Sequence, residues 1–116
     1  GRLEDLIIHF VHYKNVKEAQ EKWNERKKRI NWENIFIIMT DRDGCNSQIM
    51  QRFENLPYRN KVMFTHQKAN YDWAIYLKRY EKEKEVGSLV EFANIVGTRF
   101  YQEGFNCVEW LNKGGR

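Results

Sequence analysis

The sequence predicts an α/β fold: a three-layer, mainly parallel sheet with Rossmann-like crossovers, closed by a short helical C-terminus. Three observations predict it. Short, nearly continuous apolar runs recur at residues 6–11, 35–39 and 62–65, and such runs suit strands covered on both faces. Segments with apolar residues at helical spacing lie between them, giving the strand, helix, strand, helix, strand order of parallel crossovers. Two capping signals then crowd the last third of the chain.

In residues 6–11 only His9 interrupts the apolar run, so a buried first strand is expected there. Asn15 offers an N-cap with Glu18 three residues on, and Val16, Ala19, Trp23 and Ile30 recur at helical spacing. That pattern predicts an amphipathic helix over 16–29 with Trp23 packed inward. Residues 35–39, bounded by Asn34 and by a polar stretch from Thr40 to Gly44, predict a central strand with both faces covered. Ile49, Met50, Phe53 and Leu56 give a second helical face. It must stop near Leu56, because Pro57 disfavours α geometry at the residue before it.

A third strand is expected at 62–65 and a fourth at 72–77, whereas 78–85 carries too little apolar content for core and reads as a projecting turn. Ser88 and Glu91 form a capping box ahead of Leu89, Phe92, Ala93 and Val96, with Gly97 placed to end that helix. Asn106 and Glu109 form another, and Phe105 can staple onto Trp110, so a terminal helix is expected over 107–112.

At 116 residues, 41% of them hydrophobic, the chain has the size of one α/β domain spanning 1–116. It opens on Gly1 and Arg2 rather than Met, so the C-terminal part of a longer protein is the other reading. The net charge of +4 comes from 20 Lys and Arg interleaved with 16 Asp and Glu, which argues against an extended nucleic-acid surface. One short basic run, Arg26 to Arg29, is the exception: such a run can touch phosphates or anionic lipid headgroups, and as the solvated end of a helix it suits the helix dipole. No apolar run approaches the roughly 20 residues a transmembrane helix needs. Cys45 and Cys107 form no cluster with each other or with histidine, so free thiols and a cytoplasmic setting are expected.

The segments HFVHYKNVKEAQEKWNERKKRINWENIFIIMTDRDGC and RFENLPYRNKVMFTHQ, followed by VEWLN near the end, resemble a bacterial family of exopolysaccharide or capsular polysaccharide biosynthesis proteins. The resemblance covers nearly the whole chain and is most specific from Trp23 to Cys45. It implies an α/β fold, a role in surface-polysaccharide production and a further N-terminal portion. It carries over no catalytic residue.

The candidate site is read from the residues themselves. Asp41, Arg42 and Asp43 follow a strand, and two carboxylates one residue apart suit a magnesium or manganese ion bound to a substrate diphosphate. Asp41 and Asp43 are therefore the candidate catalytic and metal-ligating residues. Arg42 adds positive charge for phosphate and Gly44 lets the chain turn. His12 and His66 follow strands at the end where open parallel sheets bind ligands, so both join the candidate substrate-binding set. Cys45 is a nucleophile candidate without an evident base.

Two function classes follow. One is a carbohydrate-active enzyme, such as a sugar transferase using a sugar or nucleotide-sugar ligand. The other is a non-catalytic binding or assembly protein that contacts other polysaccharide-biosynthesis proteins. The Asp-x-Asp-Gly order also resembles the opening motif of haloacid-dehalogenase-like phosphatases, but no downstream acidic pair completes their magnesium site.

Overall fold

The computed structural model describes the backbone of residues 2–3 and 6–7 and all of residues 11–114. The chain gathers into two compact units, Gly1–Glu33 and Asn34–Arg116.

In the first unit β1 (Arg2–Leu3) pairs antiparallel with β2 (Leu6–Ile7), Arg2 opposite Ile7 and Leu3 opposite Leu6. Of the strand expected over 6–11, Leu6–Ile7 pairs antiparallel with β1 and not in a parallel sheet, while residues 8–10, His9 among them, lie outside the described residues. Val11 is exposed at a bend and so lacks the burial that its apolar run suggested. Helix α1 (Val16–Lys27) begins where Asn15 predicts, with Asn15 Oδ1 accepting from the Glu18 amide at 2.9 Å. The Glu18 carboxylate accepts in turn from the amide of Lys14, the residue before the cap, at 3.1 Å, so the chain is fastened on both sides of Asn15. Trp23 is 52% exposed rather than packed inward, and Ala19 is the buried residue of this helix.

The second unit is built on a parallel sheet of order β3-β4-β5: β3 (Ile37–Thr40), β4 (Lys61–Thr65) and β5 (Ala74–Tyr76). Helix α2 (Ser47–Glu54) joins β3 to β4, started by Asn46, whose Oδ1 accepts from the Ile49 amide at 3.0 Å. Residues 66–73, which join β4 to β5, contain no helix. A parallel return without one is feasible because β5 has only three residues to run back along.

Strand β3 is not central. It forms an edge of this sheet among the described residues, with Ile38 54% exposed, whereas β4 lies between two neighbours. Val62, Met63, Phe64 and Thr65 of β4 are all buried. Alternation sends Met63 and Phe64 to opposite faces. Met63 joins Phe53 of α2 and Trp73 in one cluster, and Phe64 joins Leu77 and Val86 in the other. One face is therefore covered by a helix. The other is covered by loops and two short 3-10 helices, Lys78–Tyr80 and Phe100–Glu103, with Leu89, Tyr101 and Phe105 packed on it, so among the described residues of this unit no α-helix layer covers that face.

The helix expected from Ser88 to Gly97 is replaced by a hairpin-like turn. Phe92 bridges Arg99, and the Ala93 amide donates to the Thr98 carbonyl at 2.7 Å. Asn94 Oδ1 accepts from the amides of Val96 and Thr98, and Gly97 adopts φ 91°. Local side-chain bonds of this kind compete with a helix, and an exposed Ile95 and Val96 provide no apolar face to oppose them. Helix α3 (Cys107–Lys113) forms as expected: Asn106 Oδ1 accepts from the Glu109 amide at 3.0 Å, and the Phe105 and Trp110 rings lie 5.4 Å apart. Among the described residues no helix is long and apolar enough to cross a membrane.

Candidate functional site

Parallel pairing sets Thr40 opposite Phe64, so β3 and β4 finish side by side. Asp41 follows the first strand and His66 the second. The Asp41 amide continues the ladder by donating to the Phe64 carbonyl at 3.1 Å, which leaves its side chain pointing inward, only 2% exposed. Oδ1 accepts from the Val86 amide at 2.8 Å, and Oδ2 accepts from the His66 amide at 2.8 Å while also facing His66 Nδ1 in a short contact. These partners compensate the cost of burying a carboxylate. One side chain thereby ties together the ends of two strands and the buried Val86.

The chemistry of this pair resides in the imidazole. A carboxylate at Nδ1 favours the tautomer with its proton there and leaves Nε2 as an acceptor. His66 remains 22% exposed at its side chain, so the ring is held but not sealed off. A histidine oriented in this way is suited to general acid–base work.

The other candidates are placed differently. Asp43 is exposed with φ 59°, and Gly44 follows with φ 81°, so the loop turns through two left-handed residues. A Cβ on Gly44 would meet nothing within 4 Å; glycine serves the backbone angle there, not a close approach. Asp41 is buried among protein donors while Asp43 faces solvent. Among the described residues no group of three or more His, Cys, Asp or Glu is arranged to hold a metal ion. Arg42 is about half exposed, with Nε 4.0 Å from Glu85, and lines a polar groove of about 600 Å³ with Arg79, Tyr80, Ser88 and Phe100. His12 is exposed and belongs to the first unit, whereas Asp41 and His66 belong to the second.

Cys45 packs against the Phe53, Met63 and Trp73 cluster. Burial, followed by the charge of Asp41, raises its pKa above the ordinary value of 9.0 and so disfavours the thiolate a nucleophile requires. Both Cys45 and Cys107 are free thiols. Trp73 is buried, with its Nε1 donating to Glu54, so it covers the sheet instead of offering a face to a sugar.

The pairing of Asp41 with His66 was not visible in the sequence, although each was singled out. Val86 and the groove residues Arg79 and Tyr80 were missed altogether. The one available signal was Val86 standing alone after the charged run that ends at Glu85.

Residues 1–112 match the family model described as "Domain of unknown function (DUF1919)". The chain belongs to this family. A relative from Haemophilus influenzae (strain ATCC 51907 / DSM 11121 / KW20 / Rd), which bears the description "Uncharacterized protein", is 44% identical over 113 residues. That alignment covers 97% of this chain and 54% of the relative, so the chain spans about half the length of the curated relative it matches. No solved structure matches this DUF1919 chain.

Proposed function

We propose that the chain acts in bacterial surface-polysaccharide production as a carbohydrate-active enzyme, with His66 as an acid–base group on a sugar or nucleotide-sugar substrate. The observation that supports this reading is the Asp41–His66 pair at the carboxyl ends of adjacent parallel strands. Loop residues collect into a crevice at that end of an open sheet, and ligands bind there. Asp41 holds the ring and fixes its tautomer; His66 Nε2 would take a proton from an attacking hydroxyl and return it to the leaving oxygen.

Magnesium or manganese on Asp41 and Asp43 is less well supported. Both Asp41 oxygens already accept bonds from protein donors, and Asp43 is exposed beside them. The same engagement disfavours a haloacid-dehalogenase-like reaction, in which that aspartate would have to attack phosphate.

The test is turnover of a panel of nucleotide sugars by the chain and by His66→Gln. Loss of general acid–base catalysis should lower kcat/KM by about 10²–10⁴-fold. Turnover in His66→Gln equal to that of the parent would remove the reading. In a bacterium lacking the gene, the parent chain should restore surface polysaccharide and His66→Gln should not.

A non-catalytic binding or assembly protein is the second reading, and one observation favours it. Asp41 satisfies the Val86 amide as well as His66, as a purely structural tie between strand ends would. Under that reading His66→Gln lowers the melting temperature, no sugar nucleotide is turned over, and polysaccharide is restored wherever the variant remains folded.

A further inference from the structure

The first unit carries a groove that the Asp41–His66 pair does not use. It has a volume of about 600 Å³, with Trp23, Trp32, Ile30, Arg26 and Lys27 around the buried Ala19. Trp23 and Trp32 are 52% and 60% exposed, so two indoles stand open beside it. Nearby, Glu25 is shared by Arg29 at 2.8 Å and Lys22 at 3.6 Å. Arg26 and Lys27 form no ion pair among the described residues. The groove therefore offers flat aromatic faces together with two cations that no described carboxylate pairs.

We propose that this groove binds a nucleoside diphosphate, its base stacked on an indole and its phosphates against Arg26 and Lys27. The faces of Trp stack on any base, and the guanidinium and ammonium suit phosphate oxygens. The volume lies within the range that holds small ligands, roughly 300–1,000 Å³. The groove's lining is largely apolar with Arg26 and Lys27 among it, which fits a ligand that joins a flat ring to an anionic group. The choice of a nucleotide follows from this chemistry and does not depend on the function proposed above.

The experiment is calorimetric titration of the chain with UDP at low salt, with inorganic pyrophosphate in parallel. UDP should bind, and pyrophosphate should bind at least about fivefold more weakly, the lower end of what one stacked base contributes. Trp23→Ala and Trp32→Ala remove exposed indoles, and at least one of them should weaken UDP about fivefold or more. Arg26→Gln combined with Lys27→Gln should weaken both ligands and flatten the salt dependence. If either tryptophan variant fails to fold, the other and the charge variant carry the test. The proposal is overturned if UDP shows no saturable binding, if pyrophosphate binds as tightly, or if the folded variants bind UDP as the parent does. An acidic peptide that binds where UDP does not would assign the groove to a protein partner and overturn it too. His66→Gln should retain UDP binding. Lost turnover with intact UDP binding bears on the proposed function alone, and lost UDP binding with intact turnover bears on this inference alone.

Discussion

Strands β3 and β4 lie side by side and run the same way, yet they differ sharply in what surrounds them. The first reads IIMT and leaves Ile38 54% exposed; the second begins with Lys61, and its next four residues are all buried. Apolar content would rank them in the opposite order. Burial in a sheet is set by the neighbours on either side, and among the described residues β4 has β3 and β5 while β3 has β4 alone. The contrast extends to the loops that follow. Asp41 turns inward and becomes part of the core, whereas Asp43, two residues on, faces water in a left-handed conformation.

The widest separation between the strands should come from truncating one residue in each. Met63 is fully buried between Phe53 and Trp73, so Met63→Ala removes packing and leaves a cavity, at a cost of about 2–5 kcal/mol. Ile38→Ala should stay within about 1 kcal/mol, because half of that side chain is already in water. Urea denaturation of the two variants measures the difference. Equal losses would mean that β3 is covered after all.

The two aspartates provide a smaller and sharper contrast. Asp41→Asn keeps the shape but turns an amide NH₂ toward the amide of Val86 or of His66, leaving a buried donor without an acceptor. Such a loss costs about 1–3 kcal/mol. Asp43→Asn should remain within about 0.5 kcal/mol, since the residue is exposed and asparagine tolerates a positive φ. Thermal melts of both variants distinguish a structural carboxylate from a solvated one. A neutral Asp41→Asn would dissolve the tie between the strand ends.

These contrasts also mark what the chain's local chemistry could reveal. Asn15 and Asn106 each cap a helix as their spacing predicts, and caps are legible because donor and acceptor lie three residues apart. The order β3, α2, β4, β5 was legible from apolar runs for the same reason. Sheet position was not, because it depends on which strands meet. The Ser88 to Gly97 stretch carries a capping box, yet Asn94 and Gly97 close a turn inside it, and nothing nearby buries Val96. Asp41 and His66 could each be placed at a strand end. Their contact spans 25 positions and arises only when the strands pair. Trp23 at helical spacing resembled core, but spacing cannot tell a covered helix face from an open one.

The smallest effect expected concerns Cys45, beside the buried end of the contrast. Packing against the Phe53, Met63 and Trp73 cluster raises its pKa in the folded chain, and the nearby Asp41 charge adds to the rise. The unfolded chain has no such surroundings, so its thiol titrates at about the ordinary 9.0. With the folded pKa the higher of the two, the folded state holds its proton longer. The resulting stability is fully present below the unfolded value and is lost as pH rises from about 9 through the folded value. Cys45→Ser retains a small polar side chain that does not ionise in this range. Comparing urea midpoints of the parent and Cys45→Ser from pH 7 to 10.5, about the span over which a shifted thiol titrates, cancels the groups common to both. The parent should lose stability relative to the variant only in the alkaline part of that range. A constant difference across the range would mean that the folded and unfolded thiols titrate alike, and that Cys45 senses neither the cluster nor Asp41.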